Sequence, residues 1–444
     1  MTQDTAPLPA ALTGIVTTDV SAVTRGRFVP ASRLPGVMES GIGWLQANLS
    51  LTPFGTIADP NPWGSTGDLR ILPDPGARFL ARGTGSETPF DMMIGNITEL
   101  DGTPWPCCTR SMLADALGAL HAATGLSMTA AFEHEFQLFG HDLPQAHVLS
   151  FAGLRRADGF AARLVSALSE AGVDPEVIIS EFGRDQFEIT HAPAPALAAA
   201  DRSVAIREIT RELARNLGWQ ASFAPKTAPD AVGNGLHIHF SFTDDSGAPA
   251  GFDPAGPGRL SAKAGAFCAG VLRHLPAILP MTASSVPSYL RLKPHGWSAS
   301  YTWLAEQDRE ASLRICPTVS LGGKDPAKQF NIEFRAADST ANPYLALAAI
   351  VRAGLEGLRA ELPVPPLVTG DPEAMSPQER AAKGLHRLPG TLPDALAALA
   401  ADPVVSGWFP PVLLETFHGE KEAEIAHLAG MDPEEICRLY RTLF

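Results

Sequence analysis

Cysteine is scarce in this chain, with five in 444 residues at irregular spacings. That excludes a disulfide framework and a cysteine-based structural zinc motif, and the adjacent Cys107 and Cys108 read as a reduced pair. Positive charge is also short. Lysine and arginine number 34 against 48 acidic residues, a formal net charge of −14, which argues against a nucleic-acid or anionic-membrane partner. No apolar run is long enough to span a bilayer. The opening "MTQDTAPLPA" has neither the basic region nor the apolar core of a secretory signal, so a cytoplasmic location is expected. Internal repeats and a Walker-type glycine loop are absent too, so any nucleotide must be held by other means.

What the chain does have is carboxylates in unusual places. The stretch "AFEHEFQLF", residues 131–139, alternates like a half-buried strand. Phe132, His134, Phe136 and Leu138 share one face, leaving Glu133, Glu135 and Gln137 on the other. Carboxylates two positions apart on one strand face are separated by about 7 Å. In a cleft they repel, and one protonates unless a cation lies between them. Three later segments repeat the pattern. "ISEFGRDQFEIT" carries Glu181 and Glu188; "GNGLHIHFSF" carries His237, His239 and Ser241; "FNIEFRAAD" carries Glu333 and Arg335. Five glutamates and a histidine suit two divalent cations of the Mg²⁺ or Mn²⁺ type. Arg291, Arg309 and Arg314 add positive charge nearby in the chain. Carboxylate-held metals beside arginines are what phosphoryl transfer from ATP requires, because charge on the phosphate oxygens must be neutralised from several sides.

The first hundred residues read as short strands and turns, with a hairpin turning near Ala22–Arg27 and a strand in "GDLRILPDPGARFLA" stopped by Pro73 and Pro75. Helices are expected from Thr109 to a stop at Gly125, over 158–172 and 195–217, and from Asn342 as N-cap with Pro343 at the first helical position. Strands are expected at 128–139, 176–190 and 236–243. A small N-terminal β domain and a large α+β domain follow, with the boundary near 105.

In order and spacing these segments resemble the glutamine synthetase family: an E-x-E strand, E-x6-E, G-x-H-x-H-x-S, R-L-x-P, R-x4-R, and I-E-F-R followed by N-P-Y. The resemblance implies an α+β fold, with an N-terminal β-grasp domain over 1–105 and a catalytic domain over 106–444 whose curved antiparallel sheet is flanked by helices. By position it assigns one metal to Glu135, Glu181 and Glu188 and a second to Glu133, His237 and Glu333. Glu176, His239, Ser241 and Lys328 fall at nucleotide contacts, and Gly233, Arg291 and Arg335 at contacts to glutamate, close to Glu135. Arg309 and Arg314 match arginines that steady the transferring phosphoryl group. The implied chemistry is ATP-dependent phosphorylation of the γ-carboxylate of glutamate and displacement of phosphate by an amine. Stacked homo-oligomeric rings with active sites between subunits are implied as well.

Departures from the family pattern bear on the amine. In "RLKPHGWSAS" Trp297 stands where ammonia-using members have a glutamate, and "GIGWLQANLSLTPFGT" has no acidic residue where they have an ammonium-binding aspartate. An indole in place of carboxylates favours an organic amine. The bland alternative is that Trp297 only packs and that Glu306 or Asp308 takes the glutamate's role. Arg184 and Asp185 replace a Pro-Gly pair. Val232 replaces an asparagine near the glutamate site, which leaves glutamate or a close analogue open as the acid. Two other readings stand beside an amine ligase: an ordinary glutamine synthetase, and a non-catalytic assembly protein with the same fold. The intact set of metal ligands speaks against the second.

Overall fold

The computed structural model describes residues 9–444; residues 1–8, part of the segment read above for a signal sequence, lie outside it. The N-terminal sheet comprises β1 (Leu12–Thr18), β2 (Thr24–Pro30), β3 (Ile42–Leu45), β4 (Asp68–Ala81) and β5 (Phe90–Thr98), in the order β2-β1-β5-β4-β3. Only the β1–β5 pair is parallel. The first hairpin turns at 19–23, earlier than expected, because the Asp19 carboxylate accepts the backbone N–H groups of Ser21 and Val23 at 3.0 and 2.9 Å. Gly26 belongs to the strand: a Cβ there would meet Ile15 O at 2.1 Å. Nor do the prolines stop β4. Its pairing with β3 ends at Ile71, and its register against β5 shifts between Pro73 and Arg78, so the missing N–H groups fall at a free edge and a bulge.

A larger sheet follows, built from β6 (Ser127–Phe139), β7 (Pro175–Ser180), β8 (Gln186–His191), β9 (Ala194–Pro195), β10 (Gln220–Ser222), β11 (Leu236–Thr243), β12 (Leu304–Glu306), β13 (Leu313–Ile315) and β14 (Ile332–Phe334). Its order is β12-β13-β14-β11-β6-β8-β7, with β9 and β10 also pairing with the long β6. All neighbours are antiparallel except β12 and β13. The segment expected as one strand at 176–190 is a hairpin. Its turn places Asp185 at φ 55°, and the Gln186 side chain accepts the N–H of Gly183 at 2.8 Å. Asp185 is held there by Arg156 at 2.7 Å, which is how an aspartate occupies the left-handed position after Arg184.

The inner face of β6 packs on helices. Phe132, His134, Phe136 and Leu138 are buried, and His134 meets Ser203 of the helix Ala196–Asn216 at 3.0 Å. The helices Ala262–Thr282 and Pro343–Arg359 cross closely, since a Cβ on Gly270 would strike Gly357 N at 2.6 Å. Contrary to the expectation from sequence, one helix, Ala262–Thr282, is long and apolar enough to cross a membrane, but 78% of its apolar window is buried inside the protein. Asn342 caps Pro343–Arg359 as expected, accepting from Tyr344 and Leu345. Its amide also donates to Thr18 O and Asp19 O. One side chain thus starts a helix of the large domain and anchors the first hairpin of the small one.

Candidate active site

Register brings the charged residues together. Across the sheet Glu188 stands opposite Glu135, Glu133 opposite His237, His239 opposite Glu333, and Glu333 opposite Arg314. Directly opposed residues have Cβ atoms about 5 Å apart, so five strands lay one row of ionisable groups along one face. This face floors a cavity of about 1360 Å³. Glu133, Glu135, Glu176, Glu181, Glu188, Gly233, His237, His239, Ser241, Arg291, Trp297, Arg309, Arg314, Lys328 and Arg335 all line it. Glu333 does not. It lies just behind the wall, with its carboxylate paired to Arg335 and, at 2.7 Å, to Arg314.

Two compact donor groups fit divalent cations: Glu133, His237 and Glu333, and Glu135, Glu188 and His237. Glu181 lines the same cavity but stands outside the second group. His237 Nδ1 lies 3.4 Å from Glu133 and 3.6 Å from Glu333, and Glu135 accepts the N–H of Gly235 at 2.7 Å. Burial, reinforced by the surrounding glutamates, pushes Glu188 up to about 9. Burial and then Glu135 raise Glu181. Burial also opposes charge on Glu133, but His239 and His237 outweigh it and hold that carboxyl well below its usual range. Glu333 is likewise desolvated by burial, yet Arg335 and both histidines bring it to about 2. A group of carboxylates this crowded is compatible with full ionisation only beside a cation.

Gly233 permits a close approach, since a Cβ there would meet Arg291 Cγ at 2.5 Å. Arg291 is buried and donates to Ala337 O at 2.6 Å. Trp297 is 70% exposed on a loop in which His295 and Trp297 both have positive φ. Two side chains that sequence reasoning missed complete this region. Glu310 accepts the N–H groups of His295, at 3.0 Å, and of Trp297, clamping the loop from below. Cys316 sits 3.6 Å from His239 Nδ1. Its position two residues after Arg314, on the same side of an extended segment, was the available signal.

Comparison with known proteins agrees with this architecture. The family model "Glutamine synthetase, catalytic domain" matches residues 106–438, and "Glutamine synthetase N-terminal domain" matches 4–105. The chain belongs to the glutamine synthetase family. It is therefore an ATP-dependent ligase, and the paired donor groups suit the divalent cations such a ligase uses. Among relatives in the family, a γ-glutamylpolyamine synthetase (GlnA3) of Streptomyces coelicolor is 34% identical over 437 residues, covering 95% of this chain and 91% of that protein. A glutamine synthetase of Pyrococcus furiosus is 30% identical over 400 residues, covering 88% and 85%. A crystal structure of a novel glutamine synthase homolog matches with a TM-score of 0.91 at 44% identity, over 99% of this chain and 100% of that one. The ADP complex of GmaS matches with a TM-score of 0.80 at 26% identity, over 97% of each chain.

Proposed function

We propose that this ligase joins the γ-carboxylate of glutamate to an organic amine through a γ-glutamyl phosphate intermediate. The observation that carries the reading is a set of exposed apolar side chains among the residues that line the cavity. Phe182, Val232 and Trp297 line it and remain exposed, as befits side chains waiting for an apolar substituent. The nearby carboxylate of Glu310 is engaged by the backbone of the Trp297 loop. Each buried methylene is worth about 0.8 kcal/mol, so a modest substituent favours an organic amine over ammonia by roughly two orders of magnitude. The relative named γ-glutamylpolyamine synthetase supports the same direction.

In this reading Arg291, Arg335 and Gly233 receive the glutamate, while Glu176, His239, Ser241 and Lys328 hold the nucleotide. Arg309 and Arg314 neutralise charge developing on the transferring phosphoryl group. Glu135, Glu181 and Glu188 would hold one Mg²⁺ or Mn²⁺, and Glu133, His237 and Glu333 a second. These ions would supply charge neutralisation for the phosphate and γ-carboxylate oxygens. The γ-carboxylate attacks the terminal phosphorus of ATP and releases ADP; the amine nitrogen then attacks the acyl carbon, expels phosphate and passes a proton to it. A domain division at 105 and a homo-oligomer of stacked rings complete the proposal and rest on family membership alone.

Phosphate release with ATP, Mg²⁺ and glutamate, measured against a panel of polyamines, alkylamines, aromatic amines and ammonium, tests the reading. A primary organic amine is expected to outcompete ammonium at equal concentration. Ammonium as the best substrate would return the protein to ordinary glutamine synthesis.

A further inference from the structure

The ligands so far assigned to metal are hard oxygens and one imidazole, yet a thiol points into their midst. Cys316, almost fully buried just beyond β13, has Sγ 3.6 Å from His239 Nδ1, 3.8 Å from Glu333 Oε2 and 3.8 Å from Arg314 Nη1. His239, Cys316 and Glu333 form a compact donor group, with candidate ligand atoms within 4.8 Å of one another. Tetrahedral Zn²⁺, with bonds of about 2.3 Å to sulfur and about 2.0 Å to nitrogen or oxygen, sets neighbouring donors roughly 3.3–3.6 Å apart. The sulfur distances are within a few tenths of an ångström of that spacing. In the metal-free protein the same Nδ1 donates to Asn331 Oδ1 at 2.8 Å; coordination moves that proton to Nε2 and leaves Oδ1 as a fourth donor.

We propose that His239, Cys316 and Glu333 form a subsite for a thiophilic divalent cation of the Zn²⁺ class, distinct in chemistry from the Mg²⁺ or Mn²⁺ positions. The imidazole binds through Nδ1. Its Nε2, in ion-pair contact with Glu133 Oε1 at 3.1 Å but without a formed hydrogen bond, then carries the proton beside that carboxylate, which stands as an outer partner of the metal-bound histidine. Coordination releases the thiol proton to solvent. Mg²⁺ and Mn²⁺ gain nothing from the sulfur, whereas Zn²⁺, Co²⁺ and Cd²⁺ do. Glu333 also belongs to the Glu133–His237–Glu333 group, so a cation held by the thiolate withdraws a ligand from that group and inhibits the enzyme. The binding does not depend on the ligase reading; the inhibition does.

Titration of the full-length protein with Co²⁺ tests the binding. One equivalent should produce a thiolate-to-cobalt charge-transfer band in the near ultraviolet, displaced by one equivalent of Zn²⁺ but not by a large excess of Mg²⁺. The band should vanish in Cys316→Ser and persist in Cys268→Ser, which alters a buried thiol elsewhere. Zn²⁺ inhibition, scaled to each variant's own rate, should weaken at least about tenfold in Cys316→Ser. Absence of the band in the wild type, its displacement by Mg²⁺, or its persistence in folded Cys316→Ser would overturn the assignment. The wild-type measurements can still overturn the assignment if that variant does not fold. Loss of the band with unchanged Zn²⁺ inhibition would overturn the inhibitory role.

Discussion

Two ends of one cavity floor treat the same residue type in opposite ways. Around Glu135, Glu181 and Glu188 carboxylates face one another, and burial with mutual repulsion lifts Glu188 to about 9. Around Glu133 and Glu333 the neighbours are His237, His239, Arg314 and Arg335, and Glu333 falls to about 2. Glu135 and Glu188 lie on the adjacent β6 and β8, Glu133 and Glu333 on β6 and β14 with β11 between them, and Glu181 in the turn after β7. The difference shows where charge balance is built into the chain and where a bound cation must supply it.

The largest effects come from removing one carboxylate at each end. Glu333→Ala leaves Arg335 and Arg314 without their buried partner, and a loss of about 3–5 kcal/mol is expected in chemical denaturation. Glu135→Ala should leave stability much nearer the wild type. Both should abolish phosphate release, because each removes a donor from a cation group. Equal destabilisation by the two would erase the asymmetry, and near-normal turnover in either would sink the two-cation assignment.

Arg309 is the arginine whose charge reaches Glu181 at the carboxylate end. Arg309→Ala should lower turnover roughly 10²–10³-fold, with a smaller change in the Michaelis constant for ATP. Steady-state kinetics separate the two, and a raised constant at unchanged turnover would reassign the arginine to ground-state binding.

Stability against pH reads the contrast without any substrate. The ordinary value for a glutamate here is 4.5. Raised in the fold, Glu188 keeps its proton there after the unfolded chain has lost it. Its contribution is full below 4.5 and is lost as pH rises toward about 9. Glu333 has the opposite sign: its contribution is present above 4.5 and is lost as pH falls through about 2. Denaturation of metal-free protein should therefore show a decline in stability on the alkaline side that Glu188→Gln removes. Mg²⁺ at about 100 times its dissociation constant should add about 2.7 kcal/mol, and a metal-independent alkaline slope would contradict the assignment.

The smallest expected effect concerns the exposed apolar side chains. Trp297→Glu should lower the preference for an organic amine over ammonium by about tenfold, comparable to losing two buried methylenes. Competition assays with paired amines measure the ratio. No change would leave Trp297 as packing, with Glu310 as the loop's clamp.

Period-two alternation put Phe132 and Phe136 inside and Glu133 and Glu135 in the cavity. The Asn342–Pro343 start and the Gly125 stop of two helices were equally legible, since both depend on a few adjacent residues. The family motifs carried most of the candidate site as well. Cross-strand partners were beyond such local signals. That Glu333 is neutralised by Arg314 as well as by its near neighbour Arg335, that Cys316 faces His239, and that Glu310 holds the Trp297 loop are matters of register and packing. So is the path of β4 through two prolines, which depends on where β3 stops pairing. By itself the sequence determined which residue types share a face, because side-chain direction repeats every two residues in a strand and every 3.6 in a helix. Only the tertiary structure decided which distant charges meet, because pairs such as Glu333 with Arg314 come from different strands and are brought together by sheet register.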